Sequence, residues 1–215
     1  MSFEVVVWCL VGYAMGSMPS GVLVARRYGV DLFAEGSGST GATNVYRALG
    51  KGPAIVVFLL DVGKSMVPAL LVRWRTGSED WALVAGLCAV VGHSLSPFLG
   101  FKGGKGISSG LGALLGSSPS VGSAALGTFL VTFGLCSYVS LSSLVAVTSV
   151  FAFGLLFSRS APTLLAYAGL VGFVWYRHVP NIRRLLDGTE PKFELGRKPK
   201  ADEGAPEDPS ETSET

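Results

Sequence analysis

The sequence predicts an all-α fold: a polytopic integral membrane protein of seven transmembrane helices, with its N-terminus outside and its C-terminus in the cytoplasm. Three observations carry that expectation. Of 215 residues, 49% are hydrophobic and only 15% charged, whereas a soluble domain carries about a quarter charged residues. The apolar residues come in long blocks with almost no charge, and a helix takes roughly 20 such residues to cross a bilayer core. Lys and Arg collect in alternate connecting segments, as cytoplasmic loops do. Buried helices of a soluble protein would need a large polar shell, and the composition does not supply one.

In chain order, the first block covers residues 3–25. Glu4 stands where a signal peptide would be basic, and no clear cleavage site follows, so the block is expected to remain as a span. Residues 53–72 and 81–99 form the second and third blocks. The stretch 107–134 is either one long span or two short ones parted at Ser117-Ser118-Pro119-Ser120. Charge placement decides. With two spans, Arg26, Arg27, Arg47, Lys51, Lys102, Lys105, Arg177, Arg183, Arg184, Lys192, Arg197, Lys198 and Lys200 fall inside, 13 of the 17 basic residues. Arg73, Arg75 and Arg159 fall outside, and Lys64 lies within a span. A single crossing would strand the basic C-terminal segment outside, against the rule. Gly110, Gly112, Gly116, Gly122, Ser123 and Gly127 suit close packing of these two short helices. Residues 139–157 and 161–176 complete the seven.

Residues 1–192 thus read as a single transmembrane domain. Residues 193–215 are polar and rich in Pro, Ser and Glu, a composition that cannot offset the entropy of folding, so a disordered cytoplasmic tail is expected. There is no internal repeat of fixed period. Cys9, Cys88 and Cys136 sit in or beside apolar blocks without a CxxC, which indicates neither a zinc site nor a disulfide framework.

Three polar clusters share the inside face of this topology. The first runs from Gly36-Ser37-Gly38-Ser39-Thr40-Gly41-Ala42-Thr43-Asn44 to Arg47. Its glycines let backbone N–H groups converge, and its hydroxyls and amide add donors, the makings of an anion nest. Arg47 adds a planar fork suited to phosphate. A plain flexible linker is the competing reading. The second cluster, Gly92-His93 through Lys102-Gly103-Gly104-Lys105-Gly106, offers bare backbone and an ammonium just before a span, whose helix N-terminus would face the same anion. It lacks the Walker spacing, so an ATPase is not expected; a turn that binds lipid headgroups is the alternative. The third holds Arg177, His178, Pro180, Asn181, Arg183 and Arg184, then Gly188-Thr189-Glu190. His178 and Asn181 would share a helix face if Pro180 sits in the first turn. The arginines are read as cytoplasmic anchors. His93 and His178 suit proton transfer or phosphate contact, or packing at headgroup level. Ser140, Ser142 and Ser143 are expected to bond between helices, with one available to line a cavity. Neither a Ser-His-Asp order nor a G-x-S-x-G elbow occurs. Asp31, Glu35 and Asp61 look scattered, so no metal is expected and the anion would be held by protein donors alone.

In this order, these clusters resemble the bacterial acyl-phosphate-dependent glycerol-3-phosphate acyltransferase family. The matching stretches are Gly16-Ser17-Met18-Pro19-Ser20-Gly21, Gly29-Val30-Asp31-Leu32, Gly36-Ser37-Gly38 through Gly41-Ala42-Thr43-Asn44 to Arg47, Gly92-His93, Phe98-Leu99-Gly100-Phe101 with Lys102-Gly103-Gly104-Lys105-Gly106, and Asn181-Ile182-Arg183-Arg184-Leu185 with Gly188-Thr189-Glu190, and the resemblance runs from about residue 10 to residue 192. The resemblance implies a seven-helix enzyme of the bacterial inner membrane with its site on the cytoplasmic face. It implies acyl transfer from acyl phosphate to the sn-1 hydroxyl of glycerol-3-phosphate, giving lysophosphatidic acid and phosphate for phospholipid synthesis. Ser37, Arg47 and Lys105 match the phosphate-handling positions, and His178 and Asn181 the polar pair near the acceptor; these five are the expected catalytic residues. Gly36, Gly38, Thr43, Asn44, Gly103, Gly104, Gly106 and Ser140 are the expected substrate-binding residues. Acyl phosphate, glycerol-3-phosphate and membrane lipids are the expected partners, with no cofactor, no metal and no nucleic acid. The sequence departs from the family pattern at Ser39, where Asn is usual, and at Phe33, where a basic residue is usual. A transporter of a phosphorylated solute is the alternative class, though transporters tend to show repeated halves and midplane sites. A structural protein that binds anionic lipid is a third.

Overall fold

In the computed structural model, residues 3–157 and 160–194 are described. Arg159 and residues 195–215, including Arg197, Lys198 and Lys200, lie outside the described residues. Among the described residues the chain is all-helical: α1 (Phe3–Gly16), α2 (Ser20–Arg27), α3 (Ala42–Leu49), α4 (Lys51–Thr76), α5 (Glu79–Ser94), a single 3-10 turn (Pro97–Leu99), α6 (Ile107–Ser117), α7 (Pro119–Cys136), α8 (Val139–Phe157), α9 (Ala161–Arg177) and α10 (Val179–Leu186). Five segments are long and apolar enough to cross a bilayer: Phe3–Arg27, α4, Glu79–Leu99, α7 and α8. The helices α6 and α9 are shorter, with 11 and 17 residues. Large apolar side chains point outward along these helices, among them Leu10, Leu59, Leu130, Leu156 and Leu165, as expected where the surrounding solvent is lipid.

Two expectations about the elements change. The first apolar block is not one rod but α1 and α2, parted at Ser17-Met18-Pro19, because Pro19 brings no N–H to continue the ladder. The glycine-rich first loop is a loop only as far as Gly41; the chain then turns into α3. Val45, Ala48 and Leu49 recur at helical spacing and bury against Ala54 and Val57 of α4, which gives this short helix the tertiary support it needs. The break in the 107–134 stretch falls at the expected serines: α6 ends at Ser117 and Pro119 opens α7, a position where its missing N–H costs nothing.

The tightest helix pair is α4 with α6. Gly112 and Gly116 lie four apart on α6, against the backbone of Val62 and Met66, where no Cβ fits. Small residues that admit such an approach are how helices associate in lipid. Around this pair, Leu83, Val90, Leu114, Val121, Val150, Tyr167 and Val174 from α5 to α9 form the main core.

After α10 an extended strap, residues 189–194, crosses back over the end of the bundle. The Phe193 N–H donates to the Ser137 carbonyl at 2.8 Å. Its ring packs 4.4 Å from Tyr46 and 5.5 Å from Phe133, centroid to centroid. The Tyr46 hydroxyl donates to the Glu194 carbonyl at 3.0 Å. The first two residues of the segment read as tail therefore pack on the helices.

Candidate active site

The N-termini of α3, α6, α8 and α10 and the C-terminus of α9 meet at one end of the bundle, and the strap covers them. They enclose a polar cavity of about 160 Å³. Ser37, Arg47, Lys105, His178 and Asn181 all line it, as do Thr43, Asn44, Gly106 and Ser140. Gly36, Gly38, Gly103 and Gly104 do not. The first turns of α3 and α6 are part of the wall, so exposed N–H groups and the positive ends of two helix dipoles face the space.

On one side of the cavity four residues form a chain of charge-assisted bonds. The Lys105 ammonium donates to Asn181 Oδ1 at 2.7 Å. Asn181 Nδ2 donates to Glu190 Oε1 at 2.7 Å, and Arg184 Nε donates to Glu190 Oε2 at 2.7 Å. Burial would raise the Glu190 pKa, but the bonds from Asn181 and Arg184, with Ser140 close by, hold it below its ordinary value. Burial pulls the Lys105 ammonium down to about 8; the Glu190 charge opposes this, and Arg184, Arg47 and Arg177 add to it. Burial also takes His178 to about 4, against the bond its Nδ1 makes to the Val174 carbonyl at 2.9 Å. His178 is thus neutral at pH 7. That bond makes Nδ1 the donor and leaves Nε2 as an acceptor. The placement follows from local sequence: His178 caps α10, Pro180 occupies its first turn and Asn181 is just inside.

Several residues nominated as ligands turn out to be scaffolding. Asn44 borders the cavity, but its side chain is spent. Its Oδ1 accepts from the Ser37 N–H at 2.9 Å, and its Nδ2 donates to the Leu32 and Glu35 carbonyls at 3.1 and 3.0 Å. It folds the 32–37 loop onto α3. Gly36 sits at φ +52° with the Asn44 amide where its Cβ would be, so its glycine serves the turn. Gly103 and Gly104 were expected to offer bare N–H groups to an anion. Instead, their N–H groups donate to the Ser94 and His93 carbonyls at 3.1 and 3.2 Å. The serines of α8 also differ from expectation: Ser142 and Ser143 bond back to the Tyr138 and Val139 carbonyls of their own segment, while Ser140 and Ser143 border the cavity.

Sequence reasoning missed a buried ionic group on the same wall. Asp61 and Lys64 of α4 pair at 2.7 Å. Asp61 also accepts from Ser20 Oγ and meets His93 Nδ1 at 3.4 Å. Lys64 Nζ donates to the Met18 carbonyl at 3.0 Å. Asp61 is therefore not an isolated carboxylate. Two opposite charges three residues apart inside an apolar block were the available signal. Ser39, the position that departs from the family pattern, borders the cavity; Phe33 is exposed and does not. Among the described residues no cluster of His, Cys, Asp or Glu is arranged to hold a metal.

A second cavity, about 390 Å³, adjoins the first between α6, α7, α8 and α9. Leu111, Leu114, Leu126, Val147, Val150 and Leu170 line it. Phe58, Gly106, Ile107, Ser108, Phe129 and Ser143 border both spaces. A chamber lined by charged and polar side chains thus lies directly beside an apolar one.

The family model described as glycerol-3-phosphate acyltransferase matches residues 6–188. A glycerol-3-phosphate acyltransferase of Synechococcus sp. (strain CC9902) is 47% identical over 193 residues, covering 89% of this chain and 95% of its own. One from Aquifex aeolicus (strain VF5) is 43% identical over 190 residues, covering 86% and 96%. Among solved structures, the fold matches PlsY (YgiH), an integral membrane glycerol 3-phosphate acyltransferase, in its glycerol 3-phosphate form, with a TM-score of 0.85 and 38% identity over 89% of this chain and 96% of that one. The lysophosphatidic acid form of the same protein matches with a TM-score of 0.83.

Proposed function

The chain belongs to the glycerol-3-phosphate acyltransferase family, and from that premise we propose that it draws its acyl group from acyl phosphate and delivers it to the sn-1 hydroxyl of glycerol-3-phosphate. It is an integral membrane acyltransferase of phospholipid synthesis. The observation that carries the donor assignment is the divided site. A chamber lined by Arg47 and Lys105 under two helix N-termini adjoins an apolar one, and a donor with a phosphate head on a fatty chain has that same division. The similar PlsY structures in glycerol 3-phosphate and lysophosphatidic acid forms support this acceptor and this product.

Ser37, Arg47, Lys105 and the first turns of α3 and α6 hold the phosphates of donor and acceptor. His178 Nε2 accepts from the acceptor hydroxyl, and Asn181 fixes Lys105. The donor is already activated, so alignment and charge neutralisation do most of the work. The hydroxyl oxygen bonds to the acyl carbon, and the bond from that carbon to the phosphate oxygen breaks, with its electron pair leaving on phosphate. The hydroxyl proton goes to a phosphate oxygen, whose second pKa of about 6 suits neutral pH. His178, held near 4, is a weak base there and acts by orientation.

The polypeptide crosses the bacterial inner membrane seven times, through α1, α4, α5, α6, α7, α8 and α9. Its N-terminus is outside, and the site is at the cytoplasmic face. Direct transfer is tested by incubating the protein with labelled acyl phosphate and no acceptor, then denaturing it. No label is expected to remain on the chain; an acyl group bound to any side chain contradicts direct attack.

A further inference from the structure

The Gly103-Gly104 turn has every backbone polar group occupied, and one side chain supplies half of the partners. The two N–H groups donate to the Ser94 and His93 carbonyls. The two carbonyls accept from Arg177 Nη2, at 2.8 Å for Gly103 and 3.1 Å for Gly104. The turn is therefore held between the end of α5 and the end of α9. Beneath it lies the His93 ring, so close to Gly104 that a Cβ there would overlap the imidazole. That ring is fixed in turn by Asp61. The next residue is Lys105, whose ammonium reaches Asn181 in the polar cavity.

We propose that Arg177 is a positioning residue that acts through the Gly103-Gly104 turn to set Lys105 in the phosphate chamber. As a cytoplasmic charge at a span end, Arg177 would need only to be positive. The structure uses its shape instead: one guanidinium nitrogen bridges consecutive carbonyls, and the side chain is half-buried against the turn. The bridge draws both carbonyl oxygens toward a cation. Without it, the turn loses what fixes it on the side away from α5, and Lys105 loses its anchor. Arg177 also directly precedes His178, so the same position links the phosphate side of the site to the acceptor side. A lysine keeps the charge but not the planar, rigidly oriented donors.

The inference rests on the role given to Lys105 above, and its test separates the two. Arg177→Lys and Arg177→Ala are compared with the parent protein for lysophosphatidic acid formation, for melting temperature, and for binding of inorganic phosphate read as a thermal shift. Arg177→Lys is expected to melt with the parent yet lose about 10- to 100-fold in kcat/KM, the scale of a small misplacement of a catalytic group. It is also expected to bind phosphate several-fold more weakly. Millimolar guanidinium should restore part of the activity of Arg177→Ala, because the free ion can reoccupy the two carbonyls. Normal turnover and normal phosphate binding in a folded Arg177→Lys overturn the proposal and leave Arg177 as a charge anchor. If Arg177→Ala does not fold, Arg177→Lys alone decides. A parent protein inactive with acyl phosphate contradicts the donor assignment instead, and phosphate binding by Arg177→Lys still decides the role of Arg177.

Discussion

Lys105 is a residue whose charge depends on where the fold puts it. Burial, with Arg184, Arg47 and Arg177 nearby, brings its pKa to about 8 despite the Glu190 carboxylate. A lowered ammonium pKa means that the charge is present below about 8 and lost as pH rises through it. The capture of anionic substrate should weaken over the same window. In the free enzyme, reported by kcat/KM, activity is expected to fall above about pH 8. A bound phosphate favours the ammonium, so the same limb in kcat should lie at higher pH. Steady-state rates across about pH 6–10 check this; a flat kcat/KM above 8 contradicts it. Lys105, Arg47, His178 and Asn181, which line one cavity, stand out in the sequence because each is a distinctive group in a polar cluster between apolar blocks. Asn44, Gly103 and Gly104 were expected as ligands, yet their polar groups bond within the protein, for one physical reason. Composition shows which donors exist, whereas only the fold shows which are already used: here by the Leu32 and Glu35 carbonyls for Asn44, and by the His93 and Ser94 carbonyls for the glycines.

At the scale of elements, the strap after α10 was the least legible piece. Its residues are polar and continue into a tail-like composition, and its order comes from distant partners: Tyr46 on α3, Phe133 on α7 and the Ser137 carbonyl. No periodic signal encodes such contacts. The strap places Glu190 and Pro191 in the cavity wall, so Phe193 acts as the pin of a cover. Phe193→Ala is expected to raise KM for glycerol-3-phosphate several-fold with a smaller effect on kcat. The loss of stability should stay below the ~3–5 kcal/mol of a core Phe→Ala, because the ring is only half-buried. Kinetics beside denaturant unfolding check both parts, and an unchanged KM would show that the strap is not part of the wall. The split of α6 from α7 was readable, because only two helices there keep the basic C-terminal segment on the side of the other basic loops, and Pro119 opens α7 at the break. The helix α3 was not, because its glycine-rich approach hid a short apolar face that needs α4 to support it.

At the scale of the molecule, hydropathy and the distribution of Lys and Arg sufficed for an all-helical membrane protein with its polar chemistry at one end. They did not reveal the adjoining chambers. The apolar space takes residues from α4, α6, α7, α8 and α9, and six residues, including Ile107 and Phe129, border both spaces. Each of these reads in sequence as ordinary span filling. The central proposal builds on that boundary: a phosphate-headed acyl donor lying across it, with glycerol-3-phosphate attacking the acyl carbon beside Lys105 and His178. The most direct measurement is to supply the purified protein in detergent with acyl phosphate and glycerol-3-phosphate, without ATP and with a chelator present, and to follow the products. Lysophosphatidic acid and inorganic phosphate are expected in equal amounts. A folded protein that forms neither, or that makes lysophosphatidic acid only when an acyl thioester replaces the acyl phosphate, would contradict it.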